Sequence, residues 1–297
     1  MKLTTILSAS GLLALVTMLP AAPAAAQATA KPSICQAIAR AIPSGPTVRY
    51  AQIDARPKAR SEARTDAAPR TGSEALGRDE VAIRFDSHST YVIETAAGVT
   101  IATDYAGYLM GERGVPRVVT MNRAHSSHYT DNPDPAIEHV LRGWGETNTG
   151  GPPAEHYVSV EDVVVRNVTT DIIRYGTVPN GNSIFIFEVA GLCIGHLGHL
   201  HHQPLDSHFA AIGRLDVVMV PVDGGLTLSH VGMRDVLKRL RSSIVLPMHL
   251  RSYNALPRFL DHVGADFAVR RPRENELIVS LRSLPKQPTV VILPNLD

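Results

Sequence analysis

The segment 191–202 joins an apolar run to a cluster of histidines. The run has the composition of a buried β-strand and stops at small residues. Beyond it lie four of the chain's thirteen histidines within seven residues: His196, His199, His201 and His202. Neutral imidazole is the commonest metal ligand near pH 7. The segment is therefore typical of a metal-binding loop, but a His-rich surface loop has the same composition.

Two other apolar runs lead to histidine in the same way. Residues 117–121 have strand composition and precede His125 and His128, and residues 244–248 precede His249. Strand ends that meet at one edge of a sheet bring distant side chains together. This repetition favours a metal site over a surface loop.

The remaining pattern alternates strands with helices. Short runs rich in β-branched and aromatic residues, separated by turn residues, predict strands at 81–85, 90–94, 99–102, 158–168, 183–189, 216–221, 267–269 and 277–281. Apolar residues at helical spacing predict helices at 203–212, 231–240 and 257–263. Strand groups interleaved with helices predict an α/β (α+β) fold of two sheets covered by helices.

Residues 1–26 predict a cleaved secretory signal peptide. Lys2 precedes an apolar stretch too short to span a bilayer, and Ala24-Ala-Ala26 supplies the small residues of a cleavage site. Without Lys2 the 29 basic residues become 28, equal to the 28 acidic residues. We therefore expect a periplasmic or secreted protein with a small-molecule substrate. Nucleic acid and, after cleavage, a membrane are not expected partners, and the oligomeric state is open.

Residues 27–80 predict an N-terminal extension or linker, because charges, Ala and Pro mix there without apolar periodicity. Residues 81–297 are long enough for one domain with its own core. The chain has two cysteines: Cys35 in the extension and Cys193 in the apolar run of 191–202. We expect two unpaired thiols rather than a bridge, although export would permit a disulfide.

The chain resembles the metallo-β-lactamase superfamily, in particular its predicted zinc-dependent hydrolases that are similar to ascorbate-phosphate lactonases. The resemblance is carried by Ser87-His-Ser-Thr-Tyr-Val-Ile-Glu94, Ile101-Ala-Thr-Asp104, His196-Leu-Gly198, Asp216-Val-Val-Met-Val-Pro221 and Pro247-Met-His249. It implies a four-layer αββα sandwich with the active site at one edge.

Members of that superfamily usually hold two metals through seven ligands. On their first motif, HxHxDH, Arg123 takes the first His position, His125 the second, Ser127 the Asp position and His128 the third His position. A later single His falls near Thr170 and Asp171, where this chain has none. The bridging Asp is replaced by His199, and the last His is His249.

These replacements argue for one ion rather than two. A carboxylate can bridge two cations, whereas the neutral imidazole of His199 offers one lone pair. The guanidinium of Arg123 would repel a divalent ion about 4 Å away by about 8 kcal/mol at an effective dielectric near 20. We expect His128, His199 and His249 to hold a single ion, with His125 as a fourth ligand or a proton carrier. Zinc is expected by analogy, and Cu, Ni and Fe also suit imidazole.

Other residues receive supporting roles. Ser127 cannot replace a carboxylate as a base, so His201 or His202 is expected to do so, and Arg123 either holds a substrate anion or forms an ion pair with Asp131 or Asp171. His88 and His196 are expected to support or pack against the site rather than bind the ion. Surface positions are expected for His139, His156, His208, His230 and His262.

Two functions follow. The first is an exported hydrolase that uses one metal-activated water on an ester, lactone, amide or phosphoester. The second is a non-catalytic periplasmic protein that binds a metal or ligand on the same scaffold, because four protein ligands would close the site. β-Lactam hydrolysis is not favoured, since a shared scaffold does not name a substrate.

Overall fold

Two mixed β-sheets and three α-helices form the described part of the chain. A computed structural model describes residues 32–36, 75–110, 114–145, 151–173 and 176–296. The predicted signal peptide and most of the predicted extension lie outside these ranges. The first strand begins at Val81, where the domain was expected to start.

The first sheet has six strands in the order β13-β1-β2-β3-β4-β5. β1 to β3 form an antiparallel meander, and β4 and β5 continue the sheet parallel to β3. The strands are β1 (Val81–Ser87), β2 (Thr90–Thr95), β3 (Thr100–Ala102), β4 (Val118–Met121), β5 (His139–Arg142) and β13 (Leu277–Val279).

The second sheet has eight strands in the order β12-β14-β11-β10-β9-β8-β7-β6. Its centre is parallel from β9 to β12, and β6 to β9 pair antiparallel. The strands are β6 (Tyr157–Val160), β7 (Val163–Ile173), β8 (Thr177–Val189), β9 (Leu192–His196), β10 (Val217–Pro221), β11 (Ile244–Met248), β12 (Ala268–Arg270) and β14 (Thr289–Val291).

Three α-helices lie in the chain between β9 and β12: α1 (Asp206–Ile212), α2 (His230–Leu240) and α3 (Ala255–Val263). Residues 34–36, at the end of the first described range, are also helical. The Ser229 hydroxyl caps α2 by accepting a hydrogen bond from the Gly232 amide. Lys238 and Arg239 lie in the last turn, where cations favour the helix dipole. None of these helices combines the length and apolar character that crossing a bilayer requires.

One hydrophobic core joins the two sheets. Ile83, Tyr91 and Ile101 of the first sheet belong to the same buried cluster as Phe187 and Val218 of the second. The Tyr91 hydroxyl also donates a 2.7 Å hydrogen bond to the Pro247 carbonyl, which links β2 to β11. The α+β fold is confirmed, and its mixed sheets and helices agree with the expected sandwich.

The parallel strands of each sheet end at a common edge. β1, β3 and β4 run in one direction, as do β9, β10 and β11. The loops that follow these six strands carry His88, Asp104, His125 with His128, His199, Asp223 and His249. This topology brings together residues that are far apart in sequence.

Some element boundaries differ from the sequence prediction. The single strand expected at 158–168 is part of two strands, because Glu161, at φ 48°, turns the chain between β6 and β7. β5 and β14 were not predicted, since runs of three or four residues carry little periodic signal. α1 begins at Asp206 rather than Gln203.

The expectation of two unpaired thiols is wrong. Cys35 and Cys193 form a disulfide with a Cα–Cα distance of 5.9 Å, and both residues are fully buried. Residues 32–36 reach Cys193 because the Ser33 hydroxyl and the Ile34 amide donate hydrogen bonds of 2.6 and 2.8 Å to Glu188. This part of the extension is therefore folded against β8 and β9 rather than being a free arm.

The Glu188 carboxylate is itself fixed by a buried arginine. Arg166 donates from Nε to Glu188 at 2.6 Å and from its terminal nitrogens to the carbonyls of Ala211 and Ile212. Both members of this ion pair are almost completely buried. The pair connects β7, β8 and the end of α1 to the docked segment.

We predict that the double variant Cys35→Ala/Cys193→Ala unfolds with a free energy about 2–4 kcal/mol below that of the wild type. The bridge closes a loop between residues 158 positions apart, which restricts the unfolded chain. Urea denaturation measures the difference, and reduced wild-type protein should lose a similar amount. Two titratable thiols in oxidised, denatured wild-type protein would contradict the assignment.

Candidate metal centre

Five imidazoles gather where the two sheets meet. His128 has ring centroids of His88, His125, His199 and His249 at 5.2, 4.5, 4.9 and 5.0 Å. The rings of His199 and His249 are 4.7 Å apart, and those of His88 and His249 are 4.2 Å apart. The four residues expected to hold the ion are thus together, and His88 has joined them.

The ligand atoms are close enough to share an ion. One ring nitrogen from each of His88, His125, His128 and His249 lies within 4.8 Å of the other three. Nitrogens around a tetrahedral zinc at about 2.0–2.1 Å are roughly 3.4 Å apart. Small side-chain rotations would therefore suffice to bring these atoms to bonding distance.

Four of the imidazoles point an unused nitrogen into the protein. The Nε2 atoms of His88, His128, His199 and His249 are buried and have no hydrogen-bond partner. A buried polar atom without a partner costs about 1–3 kcal/mol. Four such atoms in one cluster are what a metal site without its ion would show.

Two buried carboxylates orient two of the rings. Asp104 Oδ2 lies 2.6 Å from His128 Nδ1, and Asp223 Oδ2 lies 3.0 Å from His249 Nδ1. Asp223 also accepts hydrogen bonds from the amides of Gly225 and Thr227, which fix its loop. A carboxylate on the far nitrogen of a ligating histidine is the usual support of a metal site.

Side-chain amides connect these groups to the sheets. Asn122 donates to Asp104 at 2.8 Å, and Asn182 accepts the His199 amide at 2.8 Å. Gly198 lies between the two amides at φ +60°, and a Cβ there would be 2.3 Å from Asn122 Nδ2. Only glycine therefore fits at position 198, directly before His199.

The charges of the cluster fit a divalent cation. Asp104 and Asp223 are almost fully buried, and no Lys or Arg in the described ranges forms an ion pair with either. Burial alone would raise the pKa of Asp104, but His196, His128 and hydrogen bonds from His128 and Asn122 bring it below its usual value. Two buried negative charges beside neutral imidazoles would balance one divalent ion.

Strained backbone occurs at three of these positions. His88, Asp104 and His249 have φ values of 41°, 43° and 58°, in the left-handed region that costs a side-chain-bearing residue energy. The His249 amide donates a 2.7 Å hydrogen bond to the His88 carbonyl. Such strain clusters at functional sites, where the surroundings hold it in place.

Comparison with known families agrees with this geometry. The profile of the Beta-lactamase superfamily domain matches residues 82–249, more than half of the chain. The chain belongs to this superfamily. The match spans both halves of the cluster, from the strand before His88 to His249 itself.

Two solved structures are similar to the chain. A candidate zinc-dependent hydrolase of the metallo-β-lactamase superfamily from Thermotoga maritima has 22% identity and a TM-score of 0.51, and the match covers 72% of this chain and 98% of that one. A candidate metal-dependent hydrolase from Parabacteroides distasonis has 12% identity and a TM-score of 0.48, with 62% and 89% covered. No curated protein matches the chain.

Arg123, Thr170 and Ser127, at positions where the superfamily pattern expects ligands, make other contacts in this protein. Arg123 stacks its guanidinium 5.7 Å from the Trp144 ring and forms no ion pair with a described residue, including Asp131 and Asp171. Thr170, where the single later His was expected, accepts a hydrogen bond from Asn182. The Ser127 hydroxyl lies 2.7 Å from His125 Nδ1, so it contacts a candidate ligand rather than acting as one.

The other predicted histidines divide into two groups. His201 packs against His199, with ring centroids 4.7 Å apart, and His202 has a buried Nε2 without a partner. Both ring nitrogens of His196 are engaged, by the Ser89 carbonyl and the Gly198 amide, which fits the packing role expected. His230 is buried and bonds the Val222 carbonyl, so its expected surface position is wrong.

Sequence reasoning missed three residues of the cluster. His88 was expected to pack near the site, but the tight β1–β2 turn places it beside His249. Asp104 and Asp223 were not singled out as supports, although each follows a strand of the motif phrases. A signal was present, since both carboxylates occupy the same kind of strand-end position as the histidines.

Burial keeps four of these imidazoles neutral. Burial first, and the neighbouring histidines second, lower the pKa of His88 to about 3 and that of His125 to about 4. Burial also lowers the pKa of His128 and of His199. Neutral rings keep the lone pairs that a metal needs.

We predict that the metal-free protein loses stability as the pH falls from 7.5 to 5. Unfolded histidines take up protons near pH 6.5, whereas folded His88 and His125 resist protonation until about pH 3 and 4. The free energy of unfolding of the metal-free protein is therefore at its full value above pH 6.5 and declines below that pH. Urea denaturation with a chelator measures the change.

The variant His88→Asn should reduce this pH dependence, because it removes one titrating ring and Asn tolerates positive φ. His262→Asn, on an exposed part of α3, is the control and should keep the wild-type dependence. An equal unfolding free energy at both pH values in wild-type protein would contradict the prediction.

Proposed function

We propose that the protein is a metal-dependent hydrolase that uses one divalent cation. The observation that carries the proposal is the set of buried, unpartnered Nε2 atoms backed by Asp104 and Asp223. The metal-dependent hydrolase fold of the superfamily supports the reaction class. Ester, lactone, amide and phosphoester bonds are the candidate substrates.

His128 and His249 are the firmest ligands, because a carboxylate lies beside Nδ1 of each ring and the Nε2 atom of each is buried without a partner. A third ligand comes from the other imidazoles of the cluster. A cation held by three imidazoles lowers the pKa of a bound water to about 7 and so supplies hydroxide at neutral pH. Zinc is the proposed ion, and Cu, Ni or Fe would also suit imidazole ligands.

His125 lies at the solvent side of the cluster. It is exposed, unlike His128 and His249, and its Nδ1 contacts the Ser127 hydroxyl. A ring in this place can carry protons between the site and solvent. His201 and His202 remain candidate bases, and Arg123 a candidate anion-binding residue on the Trp144 side.

A non-catalytic metal-binding role is the second candidate. The ligand atom of His125 lies within reach of those of His88, His128 and His249, and four imidazoles would saturate a tetrahedral ion. The exposure of His125 favours the hydrolase, because a solvent-facing ligand can give way to water or substrate.

Export is part of the proposal. The predicted signal peptide at residues 1–26 would deliver the chain to the periplasm or outside the cell. The Cys35–Cys193 bridge supports this location, because such bonds persist in oxidising compartments.

We predict that metallated protein hydrolyses a member of a panel of lactones, carboxylic esters, phosphodiesters and amides, and that a chelator abolishes the activity. His128→Ala should lower kcat/KM by at least about 100-fold, whereas the surface variant His262→Ala should retain it. Failure of fully metallated protein on the whole panel would favour the binding role.

We predict that Asp104→Asn weakens zinc binding by about 10- to 100-fold, since it removes the anionic acceptor of the His128 N–H. Competition with a chromophoric chelator measures the affinity. Asp266→Asn changes an exposed carboxylate in the same way and serves as the control. Equal affinities for both variants would contradict the supporting role of Asp104.

A further inference from the structure

We propose that His88, rather than His199, completes the metal site with His128 and His249, and that His199 directs an N–H donor at the anionic group bound there. The inference rests on the proposed function and divides the five imidazoles by task. The superfamily pattern would instead give the position of His199 to a ligand. The polar contacts of the Nδ1 atom in each ring distinguish the ligands from the donor.

His128 and His249 present lone pairs to the cluster. A carboxylate accepts hydrogen bonds, so the 2.6 Å contact from Asp104 places the proton of His128 on Nδ1. Asp223 Oδ2 lies 3.0 Å from His249 Nδ1 without hydrogen-bond geometry, and its negative charge favours the proton on that side of the His249 ring. Their buried Nε2 atoms are then unprotonated and able to bind a cation.

His199 has the opposite arrangement. The Nδ1 atom of His201 lies 3.0 Å from the His199 carbonyl, which can only accept, so this nitrogen of His201 carries a proton. The same atom lies 3.4 Å from His199 Nδ1. Two N–H groups would repel each other there, so the proton of neutral His199 belongs on Nε2.

The Nε2–H of His199 therefore faces the cluster as a donor. It is buried and has no acceptor in the described protein. A donor beside a cation suits a carbonyl, phosphoryl or carboxylate oxygen that gains negative charge during hydrolysis. The substrate class is thus one that brings such an oxygen to the ion.

His88 is suited to be the third ligand beside His128 and His249. Its ring nitrogen belongs to the group that lies mutually within 4.8 Å with those of His125, His128 and His249, and His199 is not a member of this group. The His88 Nε2 is buried without a partner. The hydrogen bond from the His249 amide to the His88 carbonyl holds the backbones of these two residues next to each other.

The two variants that test the assignment are His88→Asn and His199→Leu. Asn accepts the positive φ of His88 and is a poor zinc or cobalt ligand. Leu fills much of the imidazole volume of His199 without a donor or lone pair. His262→Leu, on the exposed face of α3, is the matched control, and circular dichroism with thermal melting verifies folding.

Cobalt(II) titration followed by absorption spectroscopy gives the first readout. We expect His88→Asn to weaken Co²⁺ binding by at least about 100-fold and to change the visible band, while His199→Leu binds within about threefold of wild type with an unchanged band. Loss of binding in His199→Leu, or wild-type binding in His88→Asn, would overturn the assignment. If wild-type protein binds no metal, the proposed function itself fails.

Azide affinity of the cobalt-loaded protein gives the second readout. The His199 donor should stabilise the bound anion, so His199→Leu is expected to weaken azide binding about five- to tenfold, the effect of one hydrogen bond. His199→Gln keeps an N–H group and should recover part of the loss. Equal azide affinity in wild type and His199→Leu would overturn the donor role.

Discussion

The site depends on two carboxylates that are buried beside neutral imidazoles. Asp104 and Asp223 carry charge into a region where an isolated ion costs several kcal/mol. Asp104 fixes the tautomer of His128 through a hydrogen bond, and Asp223 lies 3.0 Å from His249 Nδ1. The Nε2 atoms of both histidines have no protein partner. A divalent cation would balance the two charges and coordinate the unpartnered nitrogens.

The fold brings these groups together through strand direction. Three strands of one sheet and three of the other end at the same edge, and the loop after each of them contributes a residue to the cluster. Asn122, Asn182 and Gly198 tie the loops to the sheets behind the rings. The Cys35–Cys193 bridge fastens the N-terminal segment to β9, the strand that leads to His199.

Much of this arrangement was predictable from sequence. Apolar runs that end in histidine indicated His125, His128, His199 and His249, and the structure brings these four together. The resemblance to the superfamily supplied the fold, which the profile match confirms. His88 could not be assigned in the same way, because its role depends on the backbone turn that joins β1 to β2. The disulfide could not be predicted from the sequence pattern either, because it forms only when a short segment of an irregular extension binds to Glu188.

The central claim is that one cation binds among imidazoles, at positions where the superfamily pattern implies two metals with carboxylate ligands. Anomalous X-ray scattering from a zinc-soaked crystal tests it most directly. The account predicts a single peak at bonding distance from the Nε2 atoms of His88, His128 and His249. Two peaks about 3.5–4 Å apart, as in dinuclear sites, or no peak in this cluster would contradict it.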